Sequence, residues 1–330
     1  MPSSNPPPIA LSSLSIHDFR GIEQLDLDFR DPTGSPNRLV VLGGPNGSGK
    51  TAVLEAALIA LGGSDLAVGP TDDRDIRKGS KGWAIKAVIT HYSKDGFRKD
   101  VPVLKASGPS AGRIHPAAPH WYFSSWRTPS LVGSINVTVG KQGRRPDKTE
   151  RNRLLNVKLQ LVNAAAVERF AGASRPSSGN YSRWITGINE SWKTFYPDLG
   201  GEFAVDLVDS ASDNEGSFDV FCKRKGAAML SVDDLSAGQL ELFLFLASLV
   251  LNDDREGIVF IDEPELHLDP QWHAPIVRTL MDRQPRAQFI VATHSPEIYA
   301  AAMSYERHFL VPEDDPRAQA WPRVGAMAEA

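Results

Sequence analysis

An α/β fold with a mostly parallel sheet, an antiparallel β subdomain and an inserted helical lobe is predicted by three observations. Apolar, strand-sized runs alternate with helix-sized segments from Ile258 to Val311. A further apolar run, Leu39–Leu42, leads directly into a glycine-rich loop and then a helix-forming stretch. Between these regions lie two long helical stretches, Glu150–Phe170 and Tyr181–Phe195.

Each element has its own local reason. Leu11–Ile16 and Leu25–Phe29 alternate apolar and polar residues on either side of Phe19-Arg20-Gly21, the pattern of a half-buried hairpin. Leu39–Leu42 is continuously apolar, as expected of a strand covered on both faces. Thr51–Leu61 has helical composition and stops at Gly62-Gly63. Trp83–His91 and Lys99–Leu104 read as strands around a turn at Lys94–Gly96, and Trp121–Ser124 as a short strand. Ser107–Pro119, rich in Gly, Pro and Ala, reads as a loop. In Glu150–Phe170 the apolar positions are Leu154, Leu155, Val157, Leu159, Leu161 and Val162. Strands follow at Phe203–Val208 and Phe218–Lys223, then a helix at Gly238–Leu251. The final rhythm is strand Ile258–Ile261, helix Gln271–Asp282, strand Gln288–Ala292, helix Pro296–Met303 and strand His308–Val311. The resulting division is a flexible start (1–10), an N-lobe (11–146), a helical lobe (147–200), a C-lobe (201–311) and a flexible tail (312–330).

Composition narrows the function classes. A net charge of −4 leaves no global basic footprint of the kind that demands nucleic acid, although Lys141–Arg145 and Lys223–Lys225 are locally basic. The single cysteine, Cys222, excludes an internal disulfide framework and an all-cysteine metal site, and reads as a strand residue. The Pro/Ser-rich start lacks the layout of a signal peptide, and no apolar run approaches the roughly 20 residues that span a bilayer. A cytoplasmic protein without a membrane partner is the expectation.

The chemistry concentrates in a few short stretches. Gly44-Pro45-Asn46-Gly47-Ser48-Gly49-Lys50-Thr51 fits the spacing of a phosphate loop between a strand and a helix. Its glycines let the backbone wrap a phosphate, Lys50 is placed for the β- and γ-phosphates, and Thr51 for Mg²⁺. The competing reading is a glycine-rich turn before a helix. Asp262 ends an apolar strand and is the second candidate Mg²⁺ ligand; Glu263 follows, where a base for the attacking water is needed. His294, just past the next strand, suits a γ-phosphate sensor. In Leu235-Ser236-Ala237-Gly238-Gln239, Ser236 and Gly238 open a helix and offer a hydroxyl and amides to an anion. Ser236 is equally a good helix N-cap.

Taken in order, these stretches resemble the motifs of ABC-type ATPases: Walker A at 44–51, signature at 235–239, Walker B at 258–263, D-loop at 267–270 with Asp269, and H-switch at His294. The run Glu263–Pro270 (EPELHLDP), with Ile16–Gly21 (IHDFRG), is similar to the SMC/RecF/OLD-like branch, including stand-alone OLD-like ATPases of prokaryotic defence systems. The resemblance implies an ABC-ATPase head, ATP and Mg²⁺ as ligands, and composite sites formed when two copies meet. Ser236, Gly238, Gln239 and Asp269 would then contribute to nucleotide binding, and Arg20 of the FRG element is a candidate nucleotide contact. Two departures stand out. Ala237 replaces the usual signature glycine, and no glutamine marks a Q-loop; the nearest segment is Trp121–Arg127, which makes Arg127 a candidate. A helix over Glu150–Phe170 would reach only about 32 Å, so no SMC-type arm is expected.

The same resemblance implies an ATP-dependent homodimer, or a higher even-numbered oligomer, serving as motor or sensor. Little sequence lies beyond His294, so the effector, a nuclease or toxin of an anti-phage or plasmid defence complex, is expected as a separate chain. Nucleic acid is a candidate signal. A RecF-like ATPase binding DNA directly is the alternative, and a transporter's nucleotide-binding subunit a further one.

Overall fold

The computed structural model describes residues 6–63, 75–93, 95–107, 118–125, 131–136, 153–170, 180–197, 201–208, 217–224, 226, 228–253, 256–311, 315–316 and 321. Arg127 and Lys141–Arg145 fall outside them. The chain divides into two units: residues 1–125, 254–266 and 270–330 make the first, and 126–253 with 267–269 the second.

In the first unit, five strands pair in parallel. They are β3 (Leu39–Gly43), β6 (His120–Phe123), β11 (Gly257–Asp262), β12 (Ala287–Thr293) and β13 (Arg307–Phe309), in the order β13-β3-β12-β11-β6. Every residue of β3, β11 and β12 is buried. A second, antiparallel sheet has the order β2-β1-β4-β5, from β1 (Ile9–Phe19), β2 (Ile22–Asp28), β4 (Ala84–Tyr92) and β5 (Arg98–Ala106). The expected hairpin is there, with Ile16 opposite Leu25 and Phe19 opposite Ile22. Between the sheets runs α1 (Lys50–Ala60), mostly apolar and buried over most of its length. Fully buried Leu54 and Leu58 each contribute roughly 2 kcal/mol of burial there. Buried Gln288 of β12 ties the sheets: its amide donates to the Leu11 and Asn37 carbonyls at 2.9 Å, and its oxygen accepts the Leu11 N–H at 2.7 Å. Helices α5 (His273–Arg283) and α6 (Pro296–Ala301) alternate with the last strands. Trp321, in the stretch expected as a tail, packs against Tyr299 and Phe309.

The second unit holds α2 (Arg153–Phe170), α3 (Asn180–Phe195) and α4 (Ala237–Val250). It also holds an antiparallel sheet in which β9 (Ser217–Lys223) pairs with β7 (Ile135–Asn136), β8 (Glu202–Leu207) and β10 (Leu230–Ser231). The two-residue strands β7 and β10 carry too few residues to show an alternation in sequence. The amphipathic α3 buries Ile188, Trp192 and Phe195, and Trp192 meets Phe203 edge to face at 4.9 Å. Cys222 is a buried β9 residue; burial pushes its thiol up, against the neighbouring Arg224. Lys223 pairs with Asp206 across the β8–β9 ladder at 3.0 Å. Among the described residues no helix is long and apolar enough to cross a membrane.

Candidate nucleotide site

Open α/β sheets bind ligands beyond the carboxyl ends of their parallel strands. Register brings four such ends to one edge: Leu42 lies opposite Ala292, Ala292 opposite Asp262, and Ile261 opposite Phe123. The chain leaving β3 becomes the glycine loop, that leaving β11 starts with Glu263, that leaving β12 with His294, and that leaving β6 with Ser124 and Ser125.

The loop is shaped by its glycines. Gly44, Gly47 and Gly49 have φ of 151°, 80° and 91°, which a side chain would strain. A Cβ at Gly44 would meet the Ser48 hydroxyl at 2.7 Å, while nothing lies within 4 Å of one at Gly47, at the exposed tip beside Asn46. Gly49 caps α1 in a left-handed conformation, and no side chain caps the helix, so the first-turn amides are open to an anion. Lys50 Nζ donates to the carbonyls of Gly44 (2.7 Å) and Pro45 (2.9 Å), holding its ammonium over the loop. Burial pushes the Lys50 ammonium down from its ordinary value, against the pull of Glu263, Asp262 and Glu265. The Ser48 hydroxyl is buried with no hydrogen-bond partner among the described residues. These features fit a bound phosphate.

Thr51 and Asp262, far apart in sequence, meet: the Thr51 hydroxyl donates to Asp262 Oδ2 at 2.9 Å. Ser125 donates to the same oxygen at 3.0 Å. These hard oxygens suit Mg²⁺, which takes few protein ligands and completes its shell with phosphate and water. Sequence reasoning missed Ser125, which lies within Trp121–Arg127, the segment nearest to a Q-loop; a serine pair after a short strand carries no signal by itself.

Glu263 has φ 53°, a left-handed conformation that costs a non-glycine residue on the order of 1–3 kcal/mol, and its N–H donates to Ala292 O at 2.8 Å. That turn swings its carboxylate toward the neighbouring strand end, where Oε1 lies 3.5 Å from His294 Nδ1. The same ring nitrogen is 3.4 Å from Oε1 of Glu265. Buried Glu265 also accepts from the Thr293 hydroxyl (2.7 Å) and from the N–H groups of His294 (2.8 Å) and Ser295 (3.2 Å). It organises the H-switch turn, a role hidden within the EPELHLDP run.

Arg20 sits at the β1–β2 turn, beside the phosphate loop, since a Cβ at Gly49 would lie 3.7 Å from Ile22. Its guanidinium pairs with Glu55 of α1 and, at 2.8 Å, with Asp75. Burial works against that charge, but Asp75 and Glu55 outweigh it and raise the pKa. In the structure Arg20 therefore fastens the hairpin to the helix that follows the loop.

Ser236, Gly238, Gln239 and Asp269 belong to the second unit, whereas the residues above belong to the first. Ser236 is the N-cap of α4 in a reciprocal box with Gln239, each bond 3.4 Å long. Gly238 is required by close approach: a Cβ there would run into the His267 carbonyl oxygen. The His267 ring in turn bonds Glu241 at 3.1 Å, fixing the D-loop segment on the signature helix. Burial, then the charge of Asp269, raises the Tyr196 phenol.

Two family models match the chain: one described as "AAA domain, putative AbiEii toxin, Type IV TA system" over residues 143–300, and one described as "AAA domain" over 13–102. Among curated proteins, the Septu protein PtuA of Bacillus mycoides is 23% identical over 294 residues, covering 87% of this chain. The Retron Vc95 probable ATPase of Vibrio cholerae is 33% identical over 128 residues, covering 36% of this chain. The matched stretches span only 38% and 23% of those two relatives. Among solved structures, an SMC head bound to the C-winged helix domain of ScpA superposes with a TM-score of 0.51 at 16% identity, over 88% of this chain and 91% of that one. An SMC head domain bound to the C-terminal domain of ScpA, from Pyrococcus furiosus, gives 0.50 at 14%, over 89% and 92%. The chain therefore has the fold of an SMC head, and two AAA-domain family models match it, in keeping with an ATPase.

Proposed function

We propose that the chain binds ATP with Mg²⁺, dimerises on it through composite sites, and hydrolyses it as motor or sensor for a separately encoded effector of a defence complex. One observation carries the reading: Lys50, Thr51, Asp262, Glu263 and His294 converge at the carboxyl edge of one parallel sheet. The glycine loop amides and Lys50 hold the β- and γ-phosphates. Thr51 and Asp262 hold Mg²⁺, which neutralises phosphate charge when bound. Glu263 Oε1 accepts the proton of the attacking water, and His294, steadied by Glu265, lies against the γ-phosphate. Arg20 acts on the site through Glu55 on α1 as well as being a candidate contact at its rim. Ser236, Gly238, Gln239 and Asp269 complete the site of a second copy.

The effector part of the reading draws support from the family description that names a toxin and from the Septu and retron relatives. The test is isolation of Glu263→Gln from its native host with and without ATP, followed by native mass determination. An even-numbered, ATP-dependent core carrying a nuclease or toxin chain is expected. A monomer in saturating ATP would refute the composite site; a dimer carrying only DNA would replace the effector with a RecF-like role.

A further inference from the structure

Lys158 of α2 has a fully enclosed side chain, a costly place for an ammonium. Its Nζ donates to Asp219 Oδ1 at 2.6 Å, to Asp233 Oδ2, and to the Gly133 carbonyl at 2.9 Å, which fills its three donor positions. The carboxylates are equally occupied. Asp219, on β9, accepts from the Ser231 hydroxyl and the Val220 N–H, each at 2.7 Å. Asp233 accepts the Val132 N–H at 2.9 Å, and the Ser231 hydroxyl oxygen lies 3.3 Å from its Oδ2. Burial pushes the Asp233 carboxyl up, but Lys158, Val132 and Ser231 together hold it below the usual range.

Apolar residues of similar volume would be cheaper to bury than this ion cluster, so its use lies in fixing a geometry. What it fixes is the 3₁₀ turn Val232–Asp234, which leads through Leu235 into Ser236. That turn holds itself by two long bonds: the Leu235 N–H reaches the Val232 carbonyl at 3.4 Å, and the Asp233 N–H the Ser231 hydroxyl oxygen at 3.2 Å. Asp233 is therefore the anchor of the segment, and its cation comes from a helix distant in sequence.

We propose that Lys158 is a positioning residue for the signature: through Asp219 and Asp233, α2 holds the turn that aims Ser236, so displacing α2 withdraws Ser236. The inference rests on the reading that Ser236 completes a partner's site. It gives the helical lobe a direct mechanical hold on ATP-driven dimerisation.

The test uses the full chain carrying Glu263→Gln, with Lys158→Met, Lys158→Arg, Asp233→Asn and Ser236→Arg added singly. A fluorescent ATP analogue measures binding to the monomer, sedimentation measures dimerisation, and thermal melting reports folding. Lys158→Met is expected to bind nucleotide within about twofold of the parent while its dimerisation weakens by about tenfold or more. Lys158→Arg should recover part of the loss, and Asp233→Asn should fall between. A purely structural role would lower both readouts together and overturn the proposal, as would unchanged dimerisation in Lys158→Met. If Lys158→Met does not fold, Asp233→Asn decides by the same criterion. Should Ser236→Arg dimerise normally, the composite site itself fails; should it block dimerisation while Lys158→Met does not, only the role of Lys158 fails.

Discussion

Replacing Glu265 with alanine removes the acceptor around which the H-switch turn is built. Its Oε1 takes the Thr293 hydroxyl at 2.7 Å and the His294 and Ser295 N–H groups at 2.8 and 3.2 Å. Ser295 N–H keeps a second acceptor, the Thr293 oxygen at 2.9 Å, so the buried Thr293 hydroxyl and the partly buried His294 N–H are the two donors orphaned. At roughly 1–3 kcal/mol per unsatisfied group, less the relief of no longer burying a carboxylate, the net loss is about 2 kcal/mol. Glutamine keeps a carbonyl at the same place, though it loses the charge assistance and sets an NH2 group where the buried second oxygen lies, so Glu265→Gln should lose less than Glu265→Ala. Urea unfolding followed by tryptophan fluorescence measures both variants, and ATP turnover should fall more steeply in the alanine variant because His294 loses its support. An alanine variant as stable as the glutamine one would refute the reasoning, since the hydrogen bonds would then carry no net weight.

Lys50→Ala should abolish binding of a fluorescent ATP analogue while leaving the melting temperature nearly unchanged, because Nζ contacts only loop carbonyls among the described groups; intact affinity would dismiss the phosphate-loop assignment. His308 supplies a pH dependence: burial lowers its pKa from 6.5 to about 4, against the pull of Asp28. The unfolded ring takes up protons first, so the stability His308 contributes is whole above about pH 6.5 and is lost as pH falls toward 4, by at most roughly 3 kcal/mol. His308→Leu should flatten that slope in unfolding midpoints measured between pH 7 and 5, and an unaltered slope would assign it to other groups.

The elements that sequence reveals are those whose pattern is local. β3, β11 and β12 are wholly buried and read as mostly apolar runs; the hairpin around Arg20 alternates because one face is covered. The α2 stretch shows the limit. Its buried stripe is Leu154, Val157, Lys158, Leu161, Val162 and Ala165, whereas Leu155 and Leu159 are only partly covered. A lysine in that stripe marks a helical face only once its carboxylates are known, and Asp219 and Asp233 lie far along the chain. The same holds at the candidate nucleotide site. Lys50, Thr51, Asp262, Glu263 and His294 belong to spaced motifs, but Ser125 joins them only through the parallel register of β6 on β11. Glu55 and Asp75, which hold Arg20, carry no motif at all, so a contact with α1 was invisible beside a candidate contact with nucleotide.

The two readings of Ser236, helix cap and anion contact, draw on the same atoms and are ordered by their energies. Both bonds of its capping box are 3.4 Å long, at the weak end of hydrogen bonding, and Ser236 and Ala237 are exposed. A good serine cap contributes about 1 kcal/mol, and one with bonds this long contributes less. A hydrogen bond to a phosphate oxygen is roughly twice as strong as a neutral one, and the N-terminal dipole of α4 adds to it. Exchanging cap for phosphate is therefore downhill wherever the anion can reach the helix start. The cap keeps the first turn of α4 ordered, and Gly238 lets that turn press on the His267 carbonyl. A serine that only capped would be replaceable by aspartate, whose negative charge would keep the helix and repel a phosphate, so Ser236→Asp separates a helix cap from a dimer contact without unfolding either.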